Sequence, residues 1–366
     1  MTALTQAAII VRRLFTLGLF LGAASLITLI FYTLGKPVWQ SFFPQATPAP
    51  TLAFGKLPTI STQGLLVSTN SAGISYKIDT KEGKVPNLPQ QAKVYKIIKR
   101  TPSLLLYDRV KQRARNMGFP GGPIILSETS RKFTDRDILL RTLEIQVING
   151  NFTIDTPKNE WTSLASRELA LILEQKSADL AKGFLEKNGY LYQDLGASGK
   201  ITRTPLKISQ DQFGNITLKE AVSPPELTDF FRVDFFRNDI EKIPIIPLED
   251  NKANISLLIS PKSIDDPRYS SNKNIPIILT SYIYWPVSQN QQATYPLKTS
   301  QDAFKELQTG QGIVLSGRDR DVSIRKIYLA YLEEKKEPDF LQPVIVFEGQ
   351  NSQKGLFRAI VPAVKN

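Results

Sequence analysis

The chain has 366 residues, with 46 Lys and Arg against 34 Asp and Glu for a formal charge of +12, and it contains neither histidine nor cysteine. Without imidazole or thiolate there is no Ser-His-Asp or Cys-His machinery, no ordinary zinc, haem or iron–sulfur site, and no disulfide framework or thiol switch. Carboxylate, Ser/Lys, tyrosine or backbone chemistry is all that remains to an enzyme, no cofactor is implied, and the length fits two domains.

Leu14 to Gly35 is a run of 22 residues without a charge, and roughly 20 such residues cross a bilayer core. Arg12 and Arg13 precede the run, while only Lys36 follows it before Lys56. The positive-inside rule therefore puts residues 1–13 in the cytoplasm, residues 14–35 in the cell membrane as a single-pass anchor, and the remainder outside the cell. A cleaved signal peptide has a shorter apolar region followed by a small-residue cleavage site, whereas Gly22-Ala23-Ala24-Ser25 lies in mid-run, which favours an uncleaved anchor. Arg12-Arg13-Leu14-Phe15 looks like part of a twin-arginine export signal but lacks the polar residue before the pair. Gly18, Gly22 and Ala23 are small enough to let a partner helix approach closely. Residues 36–62, with Pro37, Pro44, Pro48, Pro50 and Pro58, read as a semi-extended stalk. Trp39, Phe42 and Phe43 stand where interfacial aromatics lie. Subtracting Arg12 and Arg13 from +12 leaves about +10 outside, enough to attract anionic envelope polymers or lipid headgroups, although no basic run marks a binding stripe. The outward topology argues against nucleic acid.

Beyond the stalk, alternating apolar residues predict strands at 73–79 and 93–97, then a helix over Ser103 to Met117 with Gly118 as its stop. Ile138 to Ile148 reads as a long strand that Asn149-Gly150 turns back into Phe152 to Asp155 through a two-residue hairpin. The strongest helical pattern is Ser166 to Asn188, with an apolar stripe of Leu169, Leu173, Leu180, Ala181, Phe184 and Leu185, stopped by Gly189. Strands follow at Phe230 to Phe236, Ile243 to Ile246, Ile255 to Ile259 and Ile275 to Tyr284. A short helix at Ser300 to Leu307 carries a capping arrangement of Thr299 and Asp302. Strands at Val322 to Tyr331, Val344 to Phe347 and Phe357 to Val361 complete the chain. Helices and strands mix without βαβ alternation, which gives an α+β fold of mainly antiparallel sheet.

Three internal similarities divide the exported part into two related lobes. Asp108 to Phe119 matches Asp179 to Tyr190, Gly150 to Ile154 matches Gly214 to Leu218, and Asp135 to Ile145 matches Asp319 to Leu329. The expected layout is a first lobe at 63–162, a boundary near Trp161, and a second lobe at 163–366 carrying an insertion at about 220–298. The paired sites Asp135/Asp137 and Asp319/Asp321 have the Asp-x-Asp spacing that can hold a divalent cation. An arginine between the acids and another close behind favour a salt-bridged turn instead. Ser270 and Lys273 have a spacing that some hydrolases use, but a lysine in a polar loop stays protonated. Two-carboxylate glycoside hydrolysis needs no histidine, and nothing in the sequence selects the pair. Gly121-Gly122-Pro123 reads as a turn and Gly310-Gln-Gly312 as a helix stop, not as phosphate cradles. Of the glycosylation sequons Asn151, Asn215 and Asn254, the first two sit where a turn wants asparagine.

The C-terminal segments Ile324 to Leu332, Phe340 to Gly349 and Phe357 to Ala363 resemble the end of the YycI/YycH-type proteins, over roughly the last 50 residues. That family consists of bacterial, single-pass, extracytoplasmic regulators of a sensor histidine kinase, built as one anchor helix followed by two-lobed α+β material. The resemblance implies a non-enzymatic protein that acts through a membrane partner such as a sensor kinase. A carboxylate-dependent envelope glycan hydrolase or binder, and a structural subunit of an envelope assembly using an exposed strand edge, are the alternatives.

Overall fold

The computed structural model describes residues 3–32, 48–61, 71–103, 105–135, 140–166, 168–195, 200–221, 227–249, 252–260 and 277–365. It divides into two compact units, Met1–Ala49 and Pro50–Asn366.

In the first unit, helix α1 (Ala3–Ile30) contains a stretch, Val11–Leu29, that is long and apolar enough to cross a membrane. Its described side chains from Val11 to Leu29 are exposed on every side, and none of them packs into a core of the chain. The hydroxyls inside the run satisfy themselves locally. Thr16 Oγ1 donates to the carbonyls of Arg12 and Arg13 at 3.0 and 2.9 Å, Ser25 Oγ to Leu21 at 2.9 Å, and Thr28 Oγ1 to Ala24 at 2.8 Å.

The second unit is α+β. In chain order it holds β1 (Ser75–Ile78), β2 (Gln91–Ile97), α2 (Leu105–Asn116), β3 (Gly121–Ile125), β4 (Ser130–Thr134), β5 (Thr142–Gln146), β6 (Phe152–Asp155) and α3 (Trp161–Leu164). There follow β7 (Glu168–Leu169), α4 (Ala170–Lys187), β8 (Lys200–Gln210), β9 (Ile216–Glu220), β10 (Leu227–Thr228), β11 (Phe230–Phe236), β12 (Ile245–Pro247) and β13 (Ile255–Ile259). The last are β14 (Ile277–Tyr282), β15 (Val287–Pro296), α5 (Ser300–Gln308), β16 (Ile313–Ser316), β17 (Asp321–Glu333), β18 (Phe340–Asn351) and β19 (Leu356–Pro362).

Nine strands form one antiparallel sheet in the order β3-β4-β5-β6-β14-β13-β11-β8-β9. Helices α2 and α4 supply Val110, Ala114, Leu173, Ala181, Phe184 and Leu185 to the same core as Leu143, Ile145, Phe152, Val233 and Leu257 of the strands. Both helices stop in the same way. Gly118 and Gly189 adopt positive φ (91° and 72°), and the next residue's N–H reaches five positions back, Phe119 to Ala114 and Tyr190 to Leu185. This is the Schellman arrangement, in which glycine tolerates the left-handed turn and the aromatic that follows drops into the core.

The second sheet has eight strands, with the path β1-β17-β18-β19-β16, β12 also on β17, and β2 linking β18 to β15. β1 and β12 run parallel to the two ends of β17, and the other pairings are antiparallel. Helix α5 is capped as its sequence suggests: Thr299 Oγ1 accepts from the Asp302 N–H at 3.1 Å and donates to the Asp302 carboxylate at 2.7 Å. Ala303, Phe304 and Leu307 of α5 join Ile324, Phe347 and Phe357 in the core. Gly349 is where β18 passes β17 at a register shift. A Cβ there would lie 1.9 Å from the Ser323 carbonyl oxygen, so only glycine permits the approach.

Four expectations need correction. A boundary near Trp161 does not follow the strands: β5 and β6, before it, pair into the same sheet as β14, β13, β11 and β8, after it. The nine-stranded sheet takes its strands from within 121–282, while the eight-stranded one is built from both sides of that span together with β12 from inside it. The stretch 220–298 is no peripheral insertion, since β11, β13 and β14 are central in the first sheet and β12 and β15 belong to the second. Only one of the three repeats separates between the sheets: Asp135–Ile145 meets the nine-stranded sheet at β5 and Asp319–Leu329 runs into β17 of the eight-stranded one. Both Schellman stops and both hairpin glycines, Gly150 and Gly214 (φ 80° and 82°), belong to the nine-stranded sheet. Lastly, part of the expected stalk is body. Phe54 packs on Phe340 with ring centroids 4.8 Å apart, Leu57 is buried, and Thr51 and Leu52 donate to Thr294 at 2.9 and 3.1 Å.

Candidate functional site

The residues singled out by sequence do not converge. Asp135, at the end of β4, is sealed against Arg141: the guanidinium Nε lies 2.7 Å from Oδ2 and the Arg141 N–H donates to Oδ1 at 3.1 Å. Asp137 falls outside the described residues, as do the Ser270-Lys273 loop and Trp39, Phe42 and Phe43. Asp319 is half-buried and accepts from the backbone N–H of Ser352 at 3.1 Å and from its hydroxyl, bonds that hold its carboxyl below the usual range. Asp321 opens β17. The second Asp-Arg-Asp copy leads into one continuous strand, and no cation-holding cluster forms among the described residues. Gly18 and Gly22 share one face of α1, four residues apart, whereas Ala23 lies about 140° round from Gly18. Two of the sequons are closed to a glycan. Asn151 accepts from the Tyr284 N–H at 3.0 Å and Asn254 donates to the Glu333 carbonyl at 3.2 Å, both buried.

What the fold does build is a cleft of about 720 Å³ where the two sheets meet, within the range of small-molecule sites, roughly 300–1,000 Å³. β2 and β15 contribute Lys93, Tyr95, Gln289 and Gln292 from one sheet, and the turn after α4 contributes Tyr192, Gln193 and Asp194. The loop after β11 adds Arg237 to Glu241, and Tyr284 follows β14.

Arg237 organises the floor. Its side chain is buried, its Nε donates to Asp194 Oδ2 at 2.8 Å and its Nη1 to the Trp285 carbonyl at 3.0 Å. The guanidinium lies 4.8 Å over the Tyr284 ring. Tyr284 donates its hydroxyl to the other Asp194 oxygen at 2.8 Å and stacks on Tyr192 at 4.4 Å and 6°. Behind this layer Glu333, at the end of β17, faces Arg237 at 3.5 Å. Burial pulls the Arg237 pKa down, but the attraction of Glu333 and Asp194 outweighs it and raises the net value. Burial likewise dominates at Glu333 and pushes its carboxyl up to about 7, against the opposing pull of Arg237. Glu334 is also raised by burial, to about 7, while accepting the Ser61 N–H at 2.6 Å.

The remaining charges at the cleft are already matched. Lys93 pairs with Glu241, and Lys200 with Asp239 at 3.4 Å. At the cleft, then, the described acids and bases are held in pairs. The sequence could not assemble this site. Asp194, Arg237, Tyr284 and Glu333 come from four separate segments, and their only local signature is a charge set at the edge of an apolar strand, as in Phe230-Phe-Arg-Val-Asp-Phe-Phe-Arg237.

No family model matches the chain, and no curated protein matches it. Among solved structures, the crystal structure of an uncharacterized protein from Eubacterium rectale ATCC 33656 is similar at a TM-score of 0.40 and 12% identity, covering 76% of this chain and 84% of that one.

Proposed function

We propose that the protein is a non-enzymatic, membrane-anchored regulator or sensor, with its N-terminus in the cytoplasm, its second unit outside the cell, and its output passed to a membrane partner through α1. The observation that carries this reading is the pre-paired cleft: a preformed polar cavity in the same chain as an N-terminal helix long and apolar enough to cross a membrane. Arg12 and Arg13 ahead of the apolar run support the orientation, and the C-terminal resemblance to YycI/YycH-type regulators points the same way. The test is to crosslink the full chain in its native membrane and to replace residues 11–29 with an unrelated apolar sequence. The expected result is a membrane partner captured by the native chain and lost on the exchange. Capture of no membrane protein, with the exchange leaving the phenotype unchanged, overturns it.

A second reading, a two-carboxylate glycan hydrolase, is favoured by one observation: Asp194 and Glu333 both reach Arg237, and one of them is raised to about 7. Against it, the guanidinium fills the space between the two acids where a glycosidic bond would have to sit, and Glu333 does not line the cleft. Release of reducing sugar that disappears in Asp194→Asn would establish it.

A further inference from the structure

We infer that the cleft takes a neutral, polyhydroxylated ligand, a short saccharide. This rests on reading the cleft as a sensing site and goes on to its ligand. The first argument is electrostatic. Arg237 is held by Asp194 at 2.8 Å and Lys200 reaches Asp239 at 3.4 Å, while Lys93 pairs with Glu241 across the mouth. A charged ligand that broke the Arg237–Asp194 pair would leave the buried guanidinium without its counter-ion, which works against cations and anions alike, while the exposed Lys93 and Lys200 pairs add little to that barrier. A neutral ligand meets no such cost.

The second argument is the chemistry of the lining. Gln193, Asn238, Gln289 and Gln292 contribute carboxamides, each with two donors and an acceptor on one plane. A sugar presents hydroxyls that both donate and accept, often on adjacent carbons, so a row of carboxamides can pair with them in either sense. The third argument is aromatic. Tyr95, Tyr192 and Tyr284 line the same space, and tyrosine offers an apolar ring face for C–H groups together with a polar tip. The ladder behind them is fixed: Tyr284 is stacked on Tyr192 and tied to Asp194, and its backbone N–H is bound by Asn151. The aromatic side of the cleft is therefore preorganised, and little ordering is left to the moment of binding.

Titration calorimetry on the full chain in lipid nanodiscs, without sugar-headed detergents, tests this with maltotetraose, cellotetraose and chitotetraose as probes. Tetragalacturonate, tetralysine and tetra-alanine are the comparators. The expected result is binding of at least one neutral tetrasaccharide and none of the comparators. Tyr192→Ala should weaken that binding about tenfold. Because Tyr192 also packs on Tyr284, Gln292→Ala on exposed β15 serves as the variant that leaves the fold alone, and it should weaken binding roughly fivefold, one hydrogen bond's worth. Phe213→Ala, in the exposed β8–β9 turn, should change nothing. Failure of all three neutral probes, or tighter binding of a comparator, overturns the saccharide assignment and leaves the regulator reading to its crosslinking test. A bound tetrasaccharide that is hydrolysed keeps the ligand class and replaces the regulator by the hydrolase.

Discussion

Arg141 and Arg237 are both buried guanidiniums at strand ends of the nine-stranded sheet, and they are held in different ways. Arg141 is 0% exposed. It faces Asp135, the Ile277 carbonyl at 3.1 Å and the Phe119 ring at 5.2 Å, all in its own layer. Arg237 reaches out of its sheet, binding Asp194 at the cleft and Glu333 from the eight-stranded sheet. The first pair is sealed in and can only hold the β4–β5 corner together. The second couples two sheets, touches a cavity, and has behind it an acid that titrates near neutrality. The same residue at similar burial is thus a structural rivet in one place and part of a responsive junction in the other.

That contrast can be broken by substitution. Arg141→Met leaves Asp135 charged and buried without its counter-ion, so it should cost about 4 kcal/mol in chemical denaturation. Asp135→Leu combined with Arg141→Met should recover most of the loss. If the single and double variants are equally unstable, the corner is held by shape and not by charge.

The next largest effect is a pH dependence. Glu333 titrates near 4.5 when unfolded and about 7 when folded, so the folded state binds its proton more tightly. Its contribution is fully present below about pH 4.5 and is lost as pH rises through about 7, a span worth about 3 kcal/mol. Glu333→Gln should remove that part of the slope in thermal unfolding between those two pH values and leave the part that Glu334, raised in the same way, contributes, and an unchanged slope would place the titrating group elsewhere. Arg141→Met should leave the slope intact.

The smallest effect belongs to the cleft wall. Tyr284→Phe removes the hydroxyl bond to Asp194 and should cost about 1 kcal/mol, since water in the cleft can replace the donor. A loss as large as that of Arg141→Met would mean that the cleft is as sealed as the corner.

Legibility followed local pattern. β11 and β13 lie where their apolar runs put them, α5 has its Thr299 cap, and α2 and α4 end at the glycines expected to stop them. The hairpin at Asn149-Gly150 exists, but its strands end at Gln146 and resume at Phe152. The turn is wider than a two-residue loop, because Asn149 binds the Asn151 N–H with its side chain. β8 and β15 were not legible. In β8 the residues are mostly half-buried without alternation, and the first half of β15, Val287-Ser-Gln-Asn-Gln-Gln292, is polar because it borders the cleft across a register shift. The long-range plan was hidden for a related reason: the similarity of Asp135–Ile145 to Asp319–Leu329 sets the entry to β5 beside the continuous strand β17, a shared polar–apolar rhythm, and rhythm does not specify a partner. The site was invisible because its charges meet only through that plan.

The interleaving of the two sheets along the chain also orders events at synthesis. Ala72 accepts a hydrogen bond from Arg318, 246 positions away, and β1 has no partner until β17 has been made. The nine-stranded sheet, complete once β14 emerges, can close while the edges of β1 and β2 are still waiting. Contacts of such sequence separation are slow to form, and unpaired edges invite pairing with other chains. The polar, charge-flanked sequence Ser75-Tyr-Lys-Ile-Asp79 is the kind that keeps a waiting strand soluble, so the early strands are written for patience as much as for the sheet they finally join.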